Sequence, residues 1–296
     1  VPITPAQRVL EAGHLVPTYG AITGWGALHW LGATGFDGQS RGGALLPVTI
    51  ATAFPRIRAQ HGIAVCQERF DVREARSVDG IWVTTAVRSV CFAMRYADSE
   101  REAAVAFGNA ALHDLVTLEE VSAWMDGHPS YTGIGQGRDC LAWCDENCWS
   151  PMEARMVHEW MAALGLPRPL TNRPVFDLSG RHIGTPDLID VEAGVLGQYD
   201  GGLHLATAQR RRDVARDARY QDHGLEQVIA MSGDLGTRAF GDRVRQAYLR
   251  ASRRPASERR WTTELPDGWV PTFTVEQRRA LSPDERRRWL GFREAA

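Results

Sequence analysis

The chain contains no lysine: all 34 of its basic residues are arginine. That absence excludes a Schiff-base amine and a Walker-type phosphate loop, both of which depend on a lysine. Also missing is any run near the roughly 18 consecutive apolar residues of a membrane-spanning helix. Residues 1–25 show no basic start followed by an apolar block, so the expected compartment is the cytoplasm. With Val1 rather than Met in first place, a further piece upstream is expected. Cysteine is sparse and odd in number. Cys66, Cys91, Cys140, Cys144 and Cys148 offer no Cys-x-x-Cys pair and no clear fourth ligand, so small buried hydrophobes are the expected role. There is no Gly-x-Ser-x-Gly elbow, and "HEWMA" at His158 lacks the second histidine of a zinc-protease helix. Internal repeats and low-complexity tracts are absent too.

What is present is ordinary globular material: 296 residues, 44% hydrophobic and 24% charged, enough for about two domains. The net charge of −2 hides an asymmetry. Residues 205–296 carry 19 Arg against 13 acids, whereas the first 204 carry 15 Arg against 23. A basic final third can face phosphate, although a solvated helix surface has the same composition.

Periodicity and capping signals outline the elements. "TPAQRVLEAGHL" and "ITGWGALHWLG" read as helices, the second with Thr23 as N-cap. "LPVTI", "GIAVC" and "GIWVT" read as strands, and three helices follow: "AVRSVCFAMRYA", "DSEREAAVAFGNAALHD" and "TLEEVSAWM", the last with a Thr117–Glu120 capping box. "DGHPSYTGIGQGRD" reads as a loop. A new unit opens after Asn147 with "SPMEARMVHEWMAALGL": Ser150 as N-cap, Pro151 at N1, Glu153 closing a capping box and Gly165 as the stop. Strands at "PVFDL", "HIGTPDLI" and "VLGQYDG" come next, then an Arg-rich helix over roughly 207–223, a strand at "LEQVIAM" and a helix at "FGDRVRQAYLRAS". Three segments result: a mixed, mainly helical α/β domain over 1–147, an αβββαβ core over 148–253, and a basic tail over 254–296 with a helix capped by Ser282 and Glu285.

The αβββαβ order, "SPME" opening its first helix, "GTPDL" with Asp187, "QYDGGLH" with Asp200 and "RRRDVARDARYQDHGLEQV" together resemble the PD-(D/E)xK nuclease superfamily, within it the branch related to very-short-patch-repair endonucleases. The resemblance covers residues 150–250. More weakly, the preceding part resembles the region that actinobacterial AbiEi-type antitoxins or transcriptional regulators place ahead of such a domain, where a winged-helix segment comes first. The resemblance implies a restriction-endonuclease-like α/β (α+β) fold and a divalent-metal-dependent DNA endonuclease. The alternative is a lapsed nuclease acting as a DNA-binding regulator or a type IV antitoxin, with a toxin as protein partner.

Phosphodiester hydrolysis calls for a cation such as Mg²⁺ or Mn²⁺, and Mg²⁺ takes oxygen ligands from one or two carboxylates. Asp187, Gln198 and Asp200 are the candidate ligands, because adjacent strands lie about 5 Å apart and residues two apart share a face. Glu153 is either an outer-shell carboxylate or a capping-box residue. His204 is either a proton-transfer group or a surface histidine. Arg210, Arg211, Arg212 and Arg216 either reach DNA phosphate or pair along the helix with Asp213 and Asp217. Asp200, ahead of Gly201 and Gly202, also suits a turn. Asp187 has no such second role. The sequence departs from the superfamily at Gln198, where a Glu stands in the family pattern, and in lacking the superfamily's lysine, whose place Asp200 takes.

Overall fold

A computed structural model describes residues 3–53, 57–201 and 216–291. The chain is mixed α/β and divides into two compact units, Val1–Glu146 and Asn147–Ala296. Among the described residues no helix is long and apolar enough to cross a membrane.

The first unit is built on five strands, β1 (Gly20–Thr23), β2 (Val48–Thr52), β3 (Ile63–Cys66), β4 (Ala75–Val78) and β5 (Ile81–Thr84), in the order β3-β2-β1-β5-β4. Six helices accompany them: α1 (Pro5–Gly13), α2 (Trp25–Trp30), α3 (Ala86–Arg95), α4 (Glu100–Leu112), α5 (Leu118–Gly127) and α6 (Ile134–Asp139). β4 and β5 form a hairpin with Val78 opposite Ile81. Its turn residues Asp79 and Gly80 have φ of 48° and 80°, the left-handed pair that a two-residue turn of this hand requires. Thr23 is not a helix cap. It ends the central strand, fully sequestered, and its hydroxyl accepts a hydrogen bond from Thr84 Oγ1 at 2.9 Å, while α2 begins only after Gly24. The expected loop before Asp139 contains α6, because Gln136 Nε2 donates to the Met94 and Ala97 carbonyls at the end of α3. Those tertiary bonds outweigh the poor helix propensity of a glycine-rich stretch.

Two buried arginines of α3 hold this unit together. Arg95 makes a two-pronged bond to Glu68 at 2.6 and 2.7 Å and donates to the Thr132 carbonyl; Arg88 pairs with Glu74 at 2.9 Å. Burial pushes the Glu68 carboxyl up, yet the bonds from Arg95 and Tyr96 outweigh it and hold the group below its usual range. All five cysteines are buried. Cys140 opens a 3-10 turn and Cys144 has extended backbone, so Cys140, Cys144 and Cys148 do not share one helix face.

The second unit opens with α7 (Pro151–His158), which continues as a π-helical turn over Glu159–Ala163. Strands β6 (Leu170–Thr171), β7 (Val175–Asp177), β8 (His182–Gly184), β9 (Leu188–Asp190) and β10 (Val195–Asp200) follow. Residues 216–222 are helical (α8), then come β11 (Glu226–Met231), α9 (Arg238–Ala251), β12 (Trp261–Thr262), α10 (Val275–Arg279) and α11 (Pro283–Leu290). The strands form a four-stranded sheet, β11-β10-β9-β6, and a three-stranded sheet, β12-β7-β8. β10 runs antiparallel to β9 and parallel to β11; a parallel pair needs a crossover between its strands, and α8 lies in that connection. Ser282 and Glu285 form the expected capping box of α11. The tail joins the sheets of this unit, since β12 pairs with β7 through Trp261 opposite Asp177 and Thr262 opposite Phe176.

Removing one partner of a buried ion pair strands the other charge, at a cost of about 3–5 kcal/mol. Arg95→Leu is therefore expected to lower the urea-unfolding free energy of the first unit by about that much. The double variant Arg95→Leu/Glu68→Leu should recover a large part of the loss.

Candidate active site

The stretch from His182 to Ile189, expected as one strand, is two strands in two different sheets. Thr185, Pro186 and Asp187 lie between β8 and β9 outside any ladder, and Pro186 has no N–H to give one. The break places Asp187 at the mouth of the four-stranded sheet. Its main-chain carbonyl accepts from Asn172 N at 3.0 Å, and its Oδ2 accepts from Tyr199 N on β10 at 2.6 Å. Leu188 pairs with Gly197, so the register carries Asp187 to the position opposite Gln198.

Glu153 comes to the same place from α7. Ser150 caps the helix as expected, accepting from Glu153 N at 3.2 Å. The Glu153 carboxylate does not close the box on Ser150. Its Oε2 accepts instead from Trp149 N at 2.7 Å and from Asn172 Nδ2 at 2.5 Å. Asn172 has a φ of 44°, a left-handed conformation that asparagine tolerates, and its side chain also donates to the Asn147 carbonyl. One asparagine thus ties the start of the unit, the capping carboxylate and the Asp187 backbone together.

The two carboxyl groups perturb each other. Burial raises Asp187 to about 6, opposed by the Tyr199 N–H and by the positive charge of Arg216. Burial and then the charge of Asp187 raise Glu153 to about 7, opposed by the bonds from Trp149, Asn172 and Ser150. Each carboxylate uses one oxygen on N–H donors; Asp187 Oδ1 and Glu153 Oε1 accept no hydrogen bond among the described residues. A buried and a half-buried carboxylate with open oxygens and elevated proton affinity form a local excess of negative charge that a proton or a cation relieves.

Gln198 and Asp200 go elsewhere. The Gln198 amide oxygen accepts from Gln227 Nε2 at 3.3 Å, and the same nitrogen donates to Asp217 Oδ1 at 2.9 Å. Asp217 Oδ1 in turn lies 3.8 Å from Arg216 Nε. Asp200, two residues beyond Gln198, lines a groove of about 790 Å³ with Ile229, Met231 and Arg243. Among the described residues no three His, Cys, Asp or Glu side chains are grouped to hold a metal ion. His204, Arg210, Arg211, Arg212 and Asp213 lie outside the described residues. Of the four arginines, Arg216 is the one placed, with its charge on Asp187. Sequence reading missed Asn172, Asp217 as a site residue, and Gln227. It also missed Asp190, which accepts from Tyr248 Oη at 2.7 Å and anchors α9 to the sheet. Only "TNRP", an asparagine in a turn-like context, carried a local signal.

The raised carboxyls fix the direction of a pH effect. In the unfolded chain both groups titrate near 4. The folded chain keeps their protons to about 6 and 7. The stability they lend is full below about pH 4 and is lost as pH rises through about 7. Glu153→Gln keeps an oxygen acceptor without the charge. Its unfolding temperature should therefore exceed the parent's at pH 8, with the gap closing below about pH 5; parallel melting curves across pH 4–8 measure this.

Compared with known proteins, the chain matches no family model, no curated protein and no solved structure, so the chemistry of this site rests on the residues that build it.

Proposed function

We propose that the second unit is a divalent-cation-dependent, nuclease-like domain directed at DNA phosphodiesters, with a restriction-endonuclease-like core. The observation that carries this reading is the Glu153–Asp187 pair, a buried and a half-buried carboxyl from different elements with raised proton affinity and open oxygens. The donor set fits Mg²⁺ or Mn²⁺, because such ions take one or two protein carboxylates and complete their shell with water and substrate phosphate. Asp187 Oδ1 would be the principal ligand; Gln198, whose amide oxygen is engaged by Gln227, and Asp200, which lines the groove with Ile229 and Met231, would be secondary ones. When bound, the cation neutralises charge developing on the phosphate and eases deprotonation of water.

The chain's own residues do the rest. Asn172 and Trp149 fix the Glu153 carboxylate through Oε2, leaving Oε1 to take a proton from the attacking water. Tyr199 N–H keeps Asp187 turned into the site. Arg216 sets a positive charge near Asp187 and offers a cation to the phosphate.

A second reading has its own observation. At position 198 an uncharged amide has its oxygen engaged by Gln227, so the site has one negative charge fewer than the superfamily pattern. A domain keeping the fold but not the reaction would act as a DNA-binding regulator or antitoxin. Single-turnover cleavage of plasmid DNA in Mg²⁺ and Mn²⁺ separates the two. The expected outcome is cutting by the parent, a loss of at least about a hundredfold in Asp187→Ala, and a gain in Gln198→Glu. Cutting by Gln198→Glu alone would favour the regulator, and cutting by none would overturn the nuclease reading. Mn²⁺ at about 100 times its dissociation constant should also stabilise the parent by about 2.7 kcal/mol, and Asp187→Ala far less.

A further inference from the structure

A side-chain amide has an accepting and a donating end, so a glutamine beside a cation serves as a ligand only if it turns its oxygen inward. At Gln198 the fold makes that choice through a carboxylate two side chains away. Asp217 Oδ1, on α8, accepts from Gln227 Nε2 at 2.9 Å. A carboxylate has no proton to give, so the Gln227 amide has to present its nitrogen there. The second hydrogen of that nitrogen goes to Gln198 Oε1 at 3.3 Å, which turns Gln198 oxygen-first toward Gln227. The end left over is Gln198 Nε2, a donor with no acceptor among the described residues. Gln198 stands beside Asp187: the register sets the two opposite each other, and the Asp187 carboxylate bonds the N–H of the next residue, Tyr199. Asp187 and Glu153 each spend one oxygen on N–H donors and keep the other open. A glutamate at 198 could follow the same plan. Glutamine has one oxygen only, and it is already spent. The joint is open to solvent, since Gln227 lines the groove of about 790 Å³ with Asp200, and Gln198, Asp217 and Gln227 are all half-buried.

We propose that Gln227 is a positioning residue which, locked by Asp217, withholds the Gln198 oxygen from the cation and so holds down the metal affinity of the Asp187 site. This rests on the nuclease-like reading for the cation site itself. The secondary role of Gln198 is thereby conditional: its oxygen reaches the cation only when Gln227 lets it go. A protein donor set held short in this way fills its cation best when a substrate phosphate adds oxygens of its own. The lock therefore ties cation binding to the arrival of substrate.

The test measures Mn²⁺ binding to the full chain by calorimetry, without nucleic acid. It compares the parent with Asp187→Ala, Gln227→Met, Gln227→Leu, Gln198→Leu and the double variant Gln198→Leu/Gln227→Met. Gln227→Met should bind Mn²⁺ about fivefold more tightly than the parent, the scale of one hydrogen bond exchanged. Gln227→Leu repeats the measurement in case the methionine variant fails to fold. Gln198→Leu should stay within about twofold of the parent, because its oxygen is not on the cation. The gain should vanish in the double variant, which separates release of Gln198 from the bare loss of a donor to Asp217. A gain in Gln227→Met from a parent too weak to measure supports the lock in the same way. Where the parent takes Mn²⁺ and Asp187→Ala does not, unchanged or weaker binding by both Gln227 variants overturns the role of Gln227 and leaves the cation site standing. An equal gain in the double variant does the same. Binding retained in full by Asp187→Ala, or absent from every variant, overturns the cation site and the role of Gln227 together.

Discussion

The hydrogen bonds into Glu153 Oε2 are the constraint on which the second unit's site depends. A carboxylate buried this deeply is tolerated only if donors meet it or a proton neutralises it. Trp149 N–H and Asn172 Nδ2 meet one oxygen, and the remaining penalty appears as the raised proton affinity. Because Asn172 also binds the Asn147 carbonyl and the Asp187 carbonyl, a single side chain and its backbone fix three segments distant in sequence. The Glu153–Asp187 pair is therefore set by a polar joint, while the apolar faces of the sheet set the general position of the strands.

The first unit solves a similar problem differently. Arg88 and Arg95 are buried with full carboxylate partners, so charge is cancelled internally. No comparable cancellation serves Glu153, whose neighbours are neutral donors and a second acid. The contrast sets a structural ion pair apart from a site that has capacity for a ligand.

Much of the fold was legible where a local rule decides the outcome. Ser150, Thr117 and Ser282 cap helices as their spacing required, and the alternation of "LPVTI" and "GIAVC" marks real strands. The failures came where tertiary contacts decide. Gly20–Thr23 is too short and too apolar to be told from the helix after it; burial in the middle of the sheet makes it a strand. β4 was overlooked although Asp79–Gly80, a strong hairpin signal, follows it directly. At the site, the apolar stretch ending in Asp187 concealed a break, because hydrophobicity does not record which sheet a residue joins. Glu153 reads in sequence as the closing residue of a capping box, but its carboxylate goes to Trp149 N and Asn172, and the bond to Asn172 spans 19 residues of chain and has no local trace.

The pairing of β12 with β7 has a consequence for the order of assembly. β7 and β8 leave the ribosome as a hairpin well before Trp261 is made. Until then Val175, Ile183 and Tyr220 lack one wall of their cluster, which Trp261 supplies. Chains fold in the order of their synthesis where contacts are local. Here the last wall of the cluster arrives late, so a nascent chain should acquire its helices and hairpins early and complete this cluster only once Trp261 has emerged.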